Sequence, residues 1–379
     1  MNKDRCCAQD RRRFLKWSAG AVGAGVASML VPGVALRAFA ASNPLDKMMV
    51  EAARKEGRLN VIALPPDWAN YRKMIKEFER LSGLRVHSAS PDASSAQELQ
   101  AVRSLKGQRR GPDAVDVGPS FALVGISENL FQPYKVSTWE SIPDNMKDPN
   151  ALWYGDYFGV ESFGVNRSVV KKAPMTWADL LEPEYKGMVA LNGSPLGAGA
   201  AFGAVFAAAL GNGGSLDDIG PGIEFFAKLA KQGNFNPSDA TPASLVSGQT
   251  PIVINWDYLN LAQAKKHKDM VTIDVILARD AKPYGGYYCQ AISKFAPNLK
   301  AARLWEEFLY SDAGQLIFLE GYAHPARFSD MVRRGVVPEK LLQELPPAEP
   351  YKHVQFPDKE QTKKAQDLLK AEWTQAVKV

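Results

Sequence analysis

Leu59-Asn-Val-Ile-Ala-Leu64 is followed by Pro65-Pro66-Asp67-Trp68, and then by Met74, Ile75, Phe78 and Leu81 at helical spacing. A short apolar run suits a strand covered on both faces, and the periodic segment after the turn suits an amphipathic helix over 70–82. Gly83 stands where a helix C′ glycine is expected. The same grammar repeats at once. Leu84-Arg-Val-His87 reads as a strand, and Ser95 with Glu98 has the spacing of a capping box opening the next helix. Val115-Asp-Val117 is a third strand, followed by Pro119-Ser120. This β-turn-α rhythm predicts an α/β fold with a mainly parallel sheet and ligand-facing loops at the strand carboxyl ends.

A second α/β segment lies further along. Met188-Val-Ala-Leu191 reads as a strand, and Asn192-Gly-Ser-Pro-Leu-Gly-Ala-Gly199 as a small-residue loop leading into an apolar helix near 200–210. Helix 223–231 follows Pro221-Gly222, and the strand Pro251-Ile-Val-Ile-Asn255 ends at Trp256-Asp257-Tyr258. Leu345-Pro-Pro-Ala-Glu-Pro350 is a connector to a last helix near 359–376. Two such segments in 379 residues predict two lobes with a cleft between them.

Outside these segments, the first forty residues read as an address. Asp10-Arg-Arg-Arg-Phe-Leu-Lys16 holds the twin-arginine export pattern; Trp17–Leu36 is uncharged, and Ala38-Phe39-Ala40 is a cleavage signal. Twenty uncharged residues could also anchor a chain in a bilayer, but weak apolarity, Pro32 and the cleavage signal favour export. Cys6 and Cys7 leave with such a signal, so Cys289 alone remains and no internal disulfide is expected. The chain carries 46 basic and 41 acidic residues; residues 1–40 hold seven and two of them, leaving 39 of each from residue 41 onward. That neutrality gives no argument for nucleic acid or an anionic membrane as partner.

Most catalytic chemistries lack their residues. His87, His267, His324 and His353 are scattered without metal-ligand spacing, and no nucleophile elbow or phosphate-loop glycine pattern stands in a convincing context. Cys289 has no linked base and reads as a small buried hydrophobe. No catalytic residue, metal or cofactor is expected. What remains is aromatic and small polar residues at strand ends: Trp68, Ser94, Ser95, Ser120, Trp256, Asp257 and Tyr288. Aromatics supply area, and hydroxyls and helix-start amides supply orientation, for a ligand held between lobes. Each has a plain structural alternative as a core, turn or cap residue; the set carries more than its members.

The order of several landmarks resembles the bacterial extracellular solute-binding proteins of family 1, which serve ABC importers. These landmarks are Phe78-Glu-Arg-Leu-Ser-Gly-Leu-Arg-Val86, Pro112-Asp-Ala-Val-Asp-Val117, Phe163-Gly-Val-Asn166, Trp177-Ala-Asp-Leu-Leu181 with Tyr185-Lys-Gly-Met-Val189, and Ala291-Ile-Ser-Lys-Phe-Ala-Pro-Asn298. The resemblance covers roughly residues 45–375. It implies a two-lobed type II periplasmic binding protein fold, each lobe a mainly parallel sheet flanked by helices, joined by crossover strands near Val160–Val165 and Tyr288–Ser293. Residues 41–160 plus about 290–335 would form one lobe, and 161–289 plus 336–379 the other.

The same resemblance implies a monomeric, non-enzymatic periplasmic protein that captures a small polar solute and delivers it to an inner-membrane ABC permease. A periplasmic sensor or scaffold on the same fold is the alternative, with an exported enzyme more remote.

Solute subgroups divide on a few positions. Ferric-ion binders carry adjacent tyrosines where Tyr258 is followed by Leu259. Polyamine binders resemble the chain at Trp256 and Tyr288, but Gln290 stands where they place a carboxylate, and Glu161, Asp257 or Asp67 would have to substitute. Phosphate and phosphonate binders tend to carry a hydroxyl at the second lobe's helix start, where Ser194 is the nearest and backbone amides could hold an anion. Expected ligand contacts are therefore Trp68, Ser94, Ser120, Glu161, Ser194, Trp256, Asp257, Tyr288 and Gln290, with Trp256 and Tyr288 as facing walls and Gln290 as a neutral hydrogen bond. Polyamine-like, phosphonate and other small polar solutes remain open.

Overall fold

The computed structural model describes residues 45–345, 351 and 353–378; the export-signal reading of residues 1–40 lies outside them. The first half alternates helix and strand as its hydrophobic pattern dictates: α1 (Lys47–Arg54), β1 (Arg58–Ile62), α2 (Tyr71–Ser82), β2 (Arg85–Ala89), α3 (Ser95–Ser104), β3 (Ala114–Val117), α4 (Pro119–Ser127) and β4 (Phe131–Gln132). Tyr71, Met74 and Phe78 bury one stripe of α2, and Gly83 closes the helix at φ +73°, where only glycine is unstrained. Next come β5 (Tyr154–Asn166), β6 (Val189–Leu191), α5 (Gly199–Gly211), α6 (Gly220–Lys231), α7 (Pro242–Ser247), β7 (Ile252–Trp256), α8 (Asp257–Lys266) and β8 (Ile273–Ile276). The chain ends through β9 (Gly285–Ser293), α9 (Leu299–Leu309), α10 (Asp312–Glu320), β10 (His324–Pro325), α11 (Phe328–Arg333), α12 (Glu339–Glu344) and α13 (Lys359–Ala376).

The two expected crossovers are β5 and β9. The first part of β5 pairs with β9, and its second part, from Glu161 onward, pairs with β7 and β8. One continuous strand therefore belongs to both halves of the molecule. The sheet order is β3-β9-β5-β7-β6, with β4 on β9 and β8 and β10 on β5. The sheets are mixed, which corrects the expectation of mainly parallel ones. Only β1/β2 and β6/β7 pair in parallel, because only these are joined by helical connections that return to the same sheet; β5 and β9 come back antiparallel to every partner.

A one-residue correction applies at α3. Its N-cap is Ser94, whose box partner is Gln97, so Ser95 and Glu98 are freed for tertiary bonds. Ser95 Oγ accepts from the Gly118 amide at 3.1 Å and Glu98 Oε2 from the Asp116 amide at 2.9 Å, tying α3 to the strand end that feeds α4. At the other end of the chain, α13 packs against both α4 and α6. The segment leading to it bonds across the cleft rim, with Gln355 exchanging backbone hydrogen bonds with Pro283 and Gly285 at 2.9 Å each.

Candidate functional site

A small cavity opens where the two halves meet. Its walls are Gly118, Pro119 and Ser120 from one side, Gly199, Phe202 and Trp256 from the other, Tyr284–Tyr288 along the crossover, and Pro357 and Thr362 from the C-terminal segment. None of these lining residues carries a charge. The start of α4 (N-cap Gly118) and the start of α5 (first residue Gly199) face each other there. A Cβ placed on Gly199 would stand 3.5 Å from Gly118 Cα and 3.2 Å from the Tyr288 hydroxyl. The first amides of a helix have no partner within it, and its macrodipole is positive at that end. At α4 the Gly118 amide is held by Ser95 Oγ and Pro119 has no N–H, which leaves the Ser120 amide; together with the first amides of α5 and the Tyr288 phenol it can bind an anion without any basic side chain.

Trp256 is 2% exposed, and its ring edge lies where a Cβ on Gly286 would stand, 2.2 Å away. It ends β7 and N-caps α8, so the turn begins at 256 and Asp257 is the first helical residue. Tyr288 stacks on Tyr157 at 5.9 Å and meets Trp68 edge-on at 5.5 Å, while Trp68 Nε1 donates to the Tyr157 hydroxyl at 2.8 Å. Tyr258 completes this aromatic floor against Trp68 and Tyr157.

Of the expected contacts, the structure brings Ser120, Trp256 and Tyr288 to the cavity wall. Trp68 lies behind Tyr288 in the floor, and Ser94 stands at the rim, its Oγ 4.0 Å from a Cβ placed on Gly197. Four others, Ser194, Asp257, Gln290 and Glu161, are placed elsewhere. Ser194 is exposed and closes a turn, its carbonyl accepting from Gly197 and Ala198 and its hydroxyl from Leu196. Asp257 turns inward, as the early helix start dictates: Oδ1 accepts from the Val160 and Tyr258 amides at 2.9 Å, and Oδ2 from the Tyr351 hydroxyl. Burial raises its pKa to about 6 against those bonds.

Gln290, expected to face the solute, lies on the same face of β9 as Tyr288 but two residues deeper, where it is buried. It donates to Asp156 Oδ2 and the Tyr71 hydroxyl, both at 3.1 Å, opposite Asp116 in the strand register. Tyr71 and Tyr157 both donate to Asp116 Oδ2, so Gln290 joins a network of two carboxyls and two phenols in which Asp116 Oδ1 has no partner. Burial first, relieved in part by the two phenols, lifts Asp116 to about 7; burial and then Asp116 raise Asp156. Glu161 is buried beneath the Trp256 wall, and neither carboxyl oxygen has a hydrogen-bond partner.

Sequence reasoning missed Tyr284, Phe202, Pro357 and Thr362. No local pattern marks the last two, which reach the cavity only because the tail crosses it. Among the described residues no His/Cys/Asp/Glu group of metal-binding size occurs.

Among the described residues, an ion pair joins the two lobes next to Trp68. Lys266 Nζ at the end of α8 lies 2.5 Å from Asp67, which Arg72 also contacts at 3.4 Å. Lys266, through its hydrogen bond, is the largest cause that lowers Asp67's pKa, so the pair persists until acid pH. Both partners are substantially exposed, and such pairs contribute about 0–1 kcal/mol. Asp67→Ala should therefore weaken solute affinity by no more than about 5-fold, mostly through faster release, with the difference vanishing in high salt. Stopped-flow release at two ionic strengths measures this; a 50-fold loss would make the pair a principal latch.

The model of the family described as "Bacterial extracellular solute-binding protein" matches residues 112–364. The chain belongs to that family. Among curated relatives, the "Putative 2-aminoethylphosphonate-binding periplasmic protein" of Salmonella typhimurium is 30% identical over 205 residues. That match covers 53% of this chain and 56% of the relative, so the chain spans little more than half the length of the curated relative it matches. The solved periplasmic binding protein AfuA of Actinobacillus pleuropneumoniae, with fructose-6-phosphate bound, superposes with a TM-score of 0.67 at 18% identity, over 85% of this chain and 99% of that one. Iron-bound HitA of Pseudomonas aeruginosa gives 0.62 at 16% identity, over 83% and 97%. These likenesses give this family member a two-lobed type II periplasmic binding protein fold.

Proposed function

We propose that the protein is the periplasmic solute-binding component of an ABC importer, and that its solute is a small organic molecule with a phosphonate or phosphate head. Residues 41–160 with about 290–335 act as one jaw, and 161–289 with 336–379 as the other. Closure brings the amino ends of α4 and α5 onto the solute and presents the closed form to the permease. The observation that carries this reading is the meeting of Gly118 and Gly199 beside the Tyr288 hydroxyl, in a cavity whose lining has no charged side chain. Bare glycine at 199 lets the first amides of α5 approach an anion closely, the Ser120 amide serves from α4, and two helix dipoles disfavour a cation at the same spot. A polyamine, cationic at both ends, would leave one ammonium there. The phosphonate named for the Salmonella relative and the sugar phosphate bound by AfuA have the head group this seat would take.

Titration calorimetry with 2-aminoethylphosphonate, ethylphosphonate, a sugar phosphate and putrescine, paired with small-angle scattering, tests the proposal. At least one phosphorus compound should bind and shrink the radius of gyration by hinge closure. Binding of putrescine alone rejects the anion seat.

Arg11 and Arg12 ahead of Phe14-Leu15-Lys16 carry the proposed route to the periplasm. Changing both to Lys should leave the precursor in the cytoplasm, scored by fractionation; normal periplasmic yield would reject twin-arginine export.

A further inference from the structure

Glu161 is 6% exposed, and both its carboxyl oxygens lack a hydrogen-bond partner. An unpaired buried carboxylate is costly, so such a group either keeps a proton or awaits a cation. Burial first, then the Asp257 carboxyl, push its pKa well above the ordinary carboxylate range, which favours the protonated form. It sits opposite Trp256 in the β5/β7 register, and its own amide bonds the Tyr284 carbonyl at 3.0 Å. Gly203 makes room for it. A Cβ on Gly203 would lie 2.7 Å from Glu161 Oε1, 2.7 Å from Trp256 Cη2 and 3.1 Å from Tyr284 Cε1. The carboxyl and two aromatic rings that line the cavity thus converge on one point of α5. That point is four residues past Gly199 on the same helix face, about 6 Å along the axis.

We infer that Glu161 receives the cationic end of the solute, so that the cleft selects a zwitterion: an anionic head at the facing ends of α4 and α5, and a primary amine one helical turn deeper. This rests on the proposed anion seat and deepens it. The spacing suits a short aminoalkyl chain. The rings of Trp256 and Tyr284, stacked at 6.3 Å and 18°, would flank the ammonium, and cations favour such faces. Glu161 lines a second, smaller cavity, among mostly apolar residues and exposed Lys282, and Tyr284 belongs to the walls of both cavities. Lys282 shares the lining of that cavity with Glu161, and it enters the test as a control.

The test is calorimetry on wild type, Glu161→Gln and Lys282→Ala with three probes: 2-aminoethylphosphonate, ethylphosphonate and putrescine. Wild type should prefer the aminophosphonate to ethylphosphonate by about 30-fold or more, as expected for a buried charge pair, and Glu161→Gln should erase that preference while ethylphosphonate binds unchanged. Lys282→Ala should leave the preference intact. Glutamine matches the carboxyl in shape and removes a buried ionisable group, so the variant should melt no lower than wild type when ligand-free.

Equal wild-type affinity for both phosphonates, or a preference that survives in Glu161→Gln, overturns the inference and leaves the anion seat standing. A preference lost in Lys282→Ala also overturns it. Binding of putrescine alone removes the anion seat and with it the zwitterion inference, whatever Glu161→Gln does. Binding of no probe by wild type overturns both.

Discussion

Gly199→Leu is expected to abolish solute binding in a protein that still folds. Gly199 is the first residue of α5, follows an extended N-cap at Ala198, and does not have the positive φ that would demand glycine. Its backbone therefore accepts leucine, and leucine is a good helix former. The obstacle lies across the cleft: the first added carbon meets the Tyr288 hydroxyl at 3.2 Å and Gly118 Cα at 3.5 Å, and three more carbons must follow it into the place proposed for the anion. The side chain is relieved if the lobes stay apart, so the cost falls on closure. Overpacking of about 1–3 kcal/mol, added to loss of the amide contacts, corresponds to at least about a 100-fold loss in affinity. Gly197→Ala is the control, since its nearest neighbours are 4.0 Å away, and it should bind within about 3-fold of wild type. Calorimetry with the ligand-free melting temperature on each preparation measures both quantities. Near-normal affinity in Gly199→Leu would remove the facing helix ends from the site.

What the sequence disclosed follows the range of the interactions involved. Hydrophobic period places α2, β1, β7 and α5 within a residue or two, because each is set by neighbours in the chain and by one covered face. Trp256 and Tyr288 are legible for the same reason: each is an aromatic at or within an apolar strand that meets the cleft. Strand direction is not local. β9 runs between β3 and β5, and Gln290 meets Asp116 from 174 positions further along the chain, so neither the mixed sheet nor the acid-phenol network leaves a mark in any window. A polar residue beside an aromatic suits a solute contact or a buried network equally well. Gln290 and Asp257 join the latter because Asp156, Tyr71 and Tyr351 arrive from elsewhere. Glu161 shows the converse: its identity is plain in the sequence, but only the fold shows that nothing in the chain satisfies its oxygens.

The ligand-free protein is expected to be more stable at pH 5 than at pH 8, and Asp116→Asn should remove a large part of that difference. Asp116 is 4% exposed and its pKa rises to about 7; Asp113 and Asp257, also buried, rise to about 6. Asp156, Glu98, Glu161 and Glu306 shift the same way, each chiefly by burial. A carboxyl whose folded pKa is raised keeps its proton when the unfolded chain has already released it. The folded state then binds more protons between the unfolded pKa near 4 and the folded value, and stability falls as pH rises through that window. His324 opposes this: burial lowers it to about 4, so it costs stability below 6.5 and relaxes as pH rises. It is one group against seven. A shift of three units at Asp116 alone corresponds to roughly 4 kcal/mol as an upper figure, and the network contributes a few kcal/mol in all. In Asp116→Asn the amide oxygen still accepts from Tyr71 and Tyr157, which donate to the carboxylate at 2.8 and 3.1 Å. The variant keeps the packing, loses the charge, and should melt several degrees higher than wild type at pH 8 while matching it near pH 5. Thermal unfolding at half-unit steps from pH 5 to pH 8 decides the matter. A flat wild-type profile, or one whose slope Asp116→Asn leaves unchanged, would mean that these carboxyls ionise freely in the folded protein.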